Sequence, residues 1–261
     1  MKVVIDFVPN HVARQYHSDA KESFVEDLGE KDNTSVAFDR DNNFYYIPGQ
    51  CLELHFGAQQ EDFEYSEFPA KVTGNDHFDA HPGRNDWYET IKLNYGVDYL
   101  NGRTGHFNPI PNTWHKMLNI LEFWASKGID GFRCDMAEMV PVEFWNWVIP
   151  KVKANYPVVF IAEVYNPAQY RNYIFNGHFD YLYDKVGLYD TLRAVICGHA
   201  AAKQITSCWQ SLEGIQANML NFLENHDEQR LASDFFAGKA QAGIPGLIVS
   251  ALLNTNPMMI Y

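Results

Sequence analysis

Four short apolar runs, each closing on a carboxylate or an Asn-His pair, constrain the fold of this chain more than any other feature. They are Val3-Val4-Ile5-Asp6-Phe7-Val8-Pro9-Asn10-His11, Gly131-Phe132-Arg133-Cys134-Asp135, Phe160-Ile161-Ala162-Glu163 and Phe222-Leu223-Glu224-Asn225-His226-Asp227. A continuous apolar run bounded by turn residues is the pattern of a strand buried on both faces. Such strands form parallel sheets covered by helices, and in barrels of that type the polar groups at the C-terminal strand ends make the active site.

The segments between the runs carry the matching helices. Trp114, Leu118, Leu121, Phe123 and Trp124 fall at helical spacing over 113–127, with Gly128 as the stop. Beyond the strand at Gly131, the pattern predicts a helix over 142–156, strands over 158–162 and 179–183 and a helix over 188–197. A strand over 219–223, a helix over 243–253 and a strand over 258–261 complete the alternation. One stretch breaks the rhythm: residues 12–108 are rich in Asp, Asn, Gly and Tyr and show few helical periods. That is too long for a structureless loop in a compact domain.

The 261 residues, 46% hydrophobic, suffice for one domain of this kind or two smaller ones. A formal charge of -13 without a basic stripe repels phosphates and excludes a nucleic-acid partner, while a neutral, hydroxyl-rich ligand fits. No run of about 18 apolar residues is present, so the chain contains no membrane span. Cys51, Cys134, Cys197 and Cys208 are scattered, without a CxxC pair, and make no disulfide framework. Aromatic residues are 15% of the chain; most fill the core, and Trp87 and Tyr88 are candidates for stacking on a sugar.

In their order, the four runs resemble the strand-3, strand-4, strand-5 and strand-7 motifs of the α-amylase family, glycoside hydrolase family 13. The resemblance runs from the first residue to the last. It implies an α/β fold, a (β/α)8 TIM barrel represented by strands 3–8. Residues 1–11 and 109–261 would be the barrel portion and 12–108 an inserted domain B, with the N-terminal barrel strands and the C-terminal β domain absent. Six strands do not close the usual barrel, so poor solubility or inactivity is expected of the chain alone. The compartment is left open, since the sequence starts on a strand-3 motif.

The resemblance also implies roles. Asp135 is the nucleophile, Glu163 the acid and base, and Asp227 the third acid; His11, Arg133 and His226 bind substrate, with Asp6 and Asn10 as supports behind them. Side-chain alternation puts Arg133 and Asp135 on one face and turns Cys134 away from it, and a fixed cation suits an ionised nucleophile. Glu163 follows three apolar residues, a setting suited to a general acid. Glu224 and Glu228 read as solvent-facing loop acids.

Two departures stand out. Many relatives bind structural Ca²⁺ with the strand-3 Asn and a domain B Asp; here Asn10 is present, but Thr90-Ile91-Lys92-Leu93-Asn94 places Lys92 where that Asp would stand. An ammonium group cannot ligate Ca²⁺, so neither metal nor cofactor is expected. Ala137-Glu138-Met139 replaces a Lys-His pair that contacts sugar in many relatives. The function implied is a retaining α-glycosidase acting on α-glucosidic bonds of starch, glycogen or maltodextrins through a covalent glycosyl-enzyme intermediate. The alternatives are an α-glucan transglycosylase of the same family and a non-catalytic glycan-binding or transporter-partner relative; the latter generally lose an acid, and all three are kept here.

Overall fold

The computed structural model describes residues 1–21, 23–54, 65–254, 256 and 258–259. Its strands and helices follow in the order β1 (Val4–Phe7), β2 (His11–Ala13), β3 (Tyr46–Ile47), β4 (Ala70–Lys71), β5 (Thr90–Lys92), β6 (Val97–Asp98), β7 (Thr104–Gly105), α1 (Asn112–Ala125) and β8 (Gly131–Cys134). Then come α2 (Val142–Asn155), β9 (Val159–Ala162), α3 (Tyr170–Phe175), β10 (Tyr181–Tyr183), α4 (Asp190–Ile196), α5 (Lys203–Ser211), β11 (Met219–Phe222), α6 (Ile244–Leu252) and β12 (Met258–Met259). The apolar runs form one six-stranded sheet in the order β1-β8-β9-β10-β11-β12, and the pairs from β8 to β12 are parallel. This is the sheet of a (β/α)8-barrel domain. Residues 260 and 261 of the strand predicted over 258–261 lie outside the described residues.

The chain divides into two compact units, one of 1–6, 130–138 and 145–261 and the other of 7–129 and 139–144. In the first, Gly131 lets β8 and β9 meet, since a Cβ there would come within 2.7 Å of the Val159 carbonyl oxygen. Phe132 and Phe160 stack at 5.3 Å between ring centres, and Trp145 of α2 meets Phe179 at 4.8 Å. Trp145, Val148, Ile149 and Val152 are fully buried, the periodic stripe expected of a helix covering a sheet.

The helix predicted over 188–197 starts at Asp190 because Lys185–Tyr189 forms a π-helical turn. Asp184 caps it, accepting from Leu188 N at 2.8 Å. Helices α3 and α5 were not anticipated: α3 is only six residues long, and α5 buries none of its residues.

Burial pushes the Asp184 carboxyl up to about 6 against 3.8, the Leu188 N–H opposing it in part. A carboxyl raised by folding contributes stability below about pH 4 that is lost as pH climbs through about 6, here about 3 kcal/mol. Asp184→Asn keeps the cap and removes the titration. Urea unfolding should therefore show a flatter pH dependence between 4 and 6 and higher stability at pH 7; an unchanged slope contradicts this.

In the second unit, β2 pairs with β5, β3 with β4 and β6 with β7, all antiparallel. With strands this short, order comes from side chains bonded to backbone. Asp32 accepts from Asn43 N at 2.8 Å, Phe44 N at 2.9 Å and the Tyr46 hydroxyl at 3.0 Å. Arg14 and Glu67 form a buried ion pair at 2.5 Å, with the Arg14 guanidinium also donating to the Tyr88 and Lys71 carbonyls. Helix α1 inserts Trp114, whose indole N–H donates to the Tyr95 carbonyl at 3.0 Å, against Phe107 and Phe144.

Candidate active site

The site in the first unit begins with strand register. Cys134 pairs with Ala162, and Glu163 N donates to the Cys134 carbonyl at 3.1 Å, so Asp135 and Glu163 emerge side by side from neighbouring strands. Such strands lie about 4.8 Å apart. Cys134, fully buried, stays in the packed face, and burial pushes its thiol well up.

Arg133 joins the acids. Its Nη1 donates to Asp135 Oδ1 at 2.6 Å and to both Asp6 oxygens at 3.0 and 3.2 Å. Its Nη2 stands 3.0 Å from Glu163 Oε2 and 3.9 Å from Asp227 Oδ2, and its Nε donates to the Tyr183 hydroxyl at 3.2 Å. Burial works against the guanidinium charge, but Glu163, Tyr183 and Asp6 outweigh it, and Arg133 is held above its ordinary value. One cation among four carboxylates leaves excess negative potential, which favours a reacting centre that develops positive charge.

The setting of Glu163 differs from the apolar one inferred from its preceding residues. It is 3% exposed, yet its carboxylate accepts from the Tyr165 hydroxyl on Oε1 and from Met136 N on Oε2 at 2.8 Å, beside Arg133. The alternation of three apolar residues reports burial and is blind to groups arriving from other strands. Met136 has φ 44°, a costly conformation for a residue with a side chain, and the turn it makes aims its N–H at Glu163.

After β11, Asn225 is 2% exposed, and its Oδ1 accepts from Asp227 N at 2.9 Å and Glu228 N at 2.8 Å. The turn presents His226 and Asp227, both about half exposed, with Nε2 and Oδ2 3.2 Å apart. The two flanking acids are not solvent-facing. Glu224 accepts from Leu231 N at 2.7 Å, and Glu228 accepts from the Tyr189 hydroxyl at 2.9 Å and pairs with Lys185 at 3.1 Å.

The structure thus brings together Asp6, Arg133, Asp135, Glu163, His226 and Asp227. Sequence reasoning missed Tyr165, Met136 and Tyr183. Tyr165 alone had a signal, two residues beyond Glu163 and so on its side of an extended backbone.

Asn10, His11 and Lys92 belong to the second unit. Lys92 Nζ is fully enclosed, donating to Asn10 Oδ1 at 2.9 Å and pairing with Asp76 Oδ1 at 2.5 Å, 5.3 Å from the Tyr99 ring centre. Burial draws the Lys92 amine below its ordinary value, with Asp76 opposing. An ammonium seated between two oxygens leaves a donor set unfit for Ca²⁺ there. Burial, then the charge of Lys92, lowers the His11 imidazole below its ordinary value, against Glu89. His11 lies 5.5 Å from the Trp87 ring centre, and Tyr88 lines a cavity of about 330 Å³ with Arg14, Tyr65 and Glu89. No helix among the described residues is long and apolar enough to cross a membrane.

A parallel sheet with carboxylates gathered at its C-terminal strand ends is the arrangement of a (β/α)8-barrel domain with an acid-rich site. The sequence model described as "Alpha amylase, catalytic domain" matches residues 1–261, and the chain belongs to that family, whose enzymes act on glycosidic bonds. Among solved structures, a debranching enzyme of Nostoc punctiforme, acarbose-soaked, superposes with TM-score 0.65 at 20% identity, covering 100% of this chain and 51% of that one. The cyclic α-maltosyl-(1→6)-maltose hydrolase of Arthrobacter globiformis, in complex with that sugar, gives 0.61 at 19% identity over 100% of this chain and 50% of that one. A curated relative, the α-1,4-glucan:maltose-1-phosphate maltosyltransferase of Rhodospirillum rubrum, is 43% identical over 53 residues, 20% of this chain and 8% of that protein. The chain thus spans about half the length of those solved structures, and its match covers far less of the curated relative.

Proposed function

We propose that this chain carries the site of a retaining α-glycosidase acting on α-glucosidic bonds of starch, glycogen or maltodextrins. The observation that carries the reading is the in-register emergence of Asp135 and Glu163 from neighbouring strands, around one arginine. Retention requires two carboxyl groups about 5–5.5 Å apart, one of them a nucleophile. Asp135, fixed by Arg133 and partly exposed, attacks the anomeric carbon. Glu163 protonates the leaving oxygen and then, as the carboxylate, takes a proton from water to release the sugar from the Asp135 ester. Asp227 bonds sugar hydroxyls more strongly as the ring flattens toward the oxocarbenium-like transition state. His226, and on its motif alone His11, contact the same sugar, while Asp6 and Asn10 support Arg133 and the strand-3 end. The barrel parts are 1–11 and 109–261, with 12–108 inserted between them.

A second reading, transfer to a sugar hydroxyl or phosphate instead of water, is supported by the kinship with a maltosyltransferase. It uses the same acids. NMR of the full-length protein with maltoheptaose tests both readings: early α-anomer products and rising reducing ends support hydrolysis, and longer oligosaccharides without new reducing ends support transfer. Early β-anomers contradict retention. Retention of all three acids speaks against a binding-only role.

The same reading assigns no structural calcium to the strand-3 end, because the Lys92 ammonium occupies the oxygens of Asn10 and Asp76. Calorimetry of the full-length protein with CaCl2 should show no micromolar binding, and one-to-one micromolar binding contradicts this.

A further inference from the structure

We propose that Glu228 is a positioning residue for Asp227, gripped from outside the loop by Lys185 and Tyr189 of the π-helical turn. The inference rests on the reading above, in which Asp227 contacts the reacting sugar. Asp227 is only loosely held by its own contacts: it is about half exposed, its Oδ2 is 3.9 Å from Arg133 Nη2, too far for a hydrogen bond, and the Nε2 that stands 3.2 Å from that oxygen belongs to the adjacent, equally exposed His226 on the same loop. Its direction is therefore set by the backbone on either side. Asn225 fixes that backbone from within, accepting from the N–H groups of Asp227 and Glu228.

Glu228 fixes it from the other side. Each of its carboxylate oxygens has a partner: Lys185 Nζ at 3.1 Å on Oε1 and the Tyr189 hydroxyl at 2.9 Å on Oε2. The side chains of Lys185 and Glu228 are only 19% and 16% exposed, so this pair is better shielded than a surface ion pair. Tyr189 also stacks on Phe222, the last residue of β11, at 5.2 Å between ring centres. One tyrosine thus grips both ends of the segment that bears Asn225, His226 and Asp227.

The π turn that supplies this grip is itself built to a tight specification. Tyr189 N closes the wide turn on the Asp184 carbonyl at 3.1 Å, Asp184 Oδ1 takes Leu188 N, and a Cβ on Gly187 would collide with that oxygen. π turns of this kind are rare and recur at functional sites. Lys185 is further anchored by Asp190 at 2.9 Å.

The test is a double-mutant cycle in the full-length protein with maltoheptaose as substrate. Glu228→Ala is expected to lower kcat about 10²-fold, the scale of an ångström-sized misplacement, with KM little changed. In an Asp227→Asn background the same substitution should cost nothing further, because the group it positions is already gone. A merely structural role costs the same in both backgrounds and overturns the proposal. Glu228→Gln and Tyr189→Phe, each removing one contact, should give intermediate losses at near-parental Tm, which keeps the test valid if Glu228→Ala unfolds. Full activity in both of these variants also overturns it. If Asp227→Asn is as active as the parent, the reading of Asp227 fails and takes the proposal with it. If Asp227→Asn is inactive while Glu228→Ala is parental, the grip alone fails.

Discussion

Asp135→Asn is expected to lower kcat on maltoheptaose about 10³-fold or more, a barrier higher by about 4 kcal/mol. The substitution keeps size and an oxygen for Arg133 Nη1, which now lies 2.6 Å from Asp135 Oδ1, so the fold should survive with Tm near the parent's. What it removes is the carboxylate that forms the glycosyl ester, and an amide is too poor a nucleophile to replace it. Kinetics and thermal unfolding of the same preparation separate the two effects. A loss under tenfold in a folded variant contradicts the assignment.

Arg133→Met should cost both stability and activity. The magnitude is decided by burial: Asp6 and Asp227 are about half exposed, and their contacts with Arg133 are screened by water. The Arg133 and Glu163 side chains are 9% and 4% exposed. Removing one partner of a buried pair leaves an uncompensated charge, typically 3–5 kcal/mol, so a stability loss of about that size is expected in urea at pH 7, with activity undetectable. Arg133→Lys keeps the charge but not the planar fork that reaches Asp6, Asp135 and Glu163 together, and should recover stability without activity. Parental stability in Arg133→Met contradicts this account.

How much of this was legible in the sequence depends on where each residue's partners lie. Phe132, Phe160 and Phe222 marked their strands because burial on both faces demands continuous apolar residues. The meeting of Arg133 with Asp135 followed from alternation along a single strand. Partners that arrive from elsewhere left no mark: nothing around Glu163 announces the Met136 N–H, and nothing around Glu228 announces Lys185 and Tyr189, about forty positions earlier. The reading of Glu228 as solvent-facing failed for that reason. The stretch over 12–108 was opaque too, because its order rests on contacts such as those of Asp32 and Arg14, which have no period.

The most direct test of the central claim is to trap the covalent sugar. The full-length Glu163→Gln variant, incubated with α-maltosyl fluoride, should form the ester without needing an acid for the fluoride leaving group and should release it slowly for want of a base. Digestion and mass spectrometry are then expected to find one maltosyl unit on the peptide carrying Asp135. A sugar attached to Asp227 or elsewhere, or turnover of the fluoride with no adduct and with β-anomer products, contradicts the account.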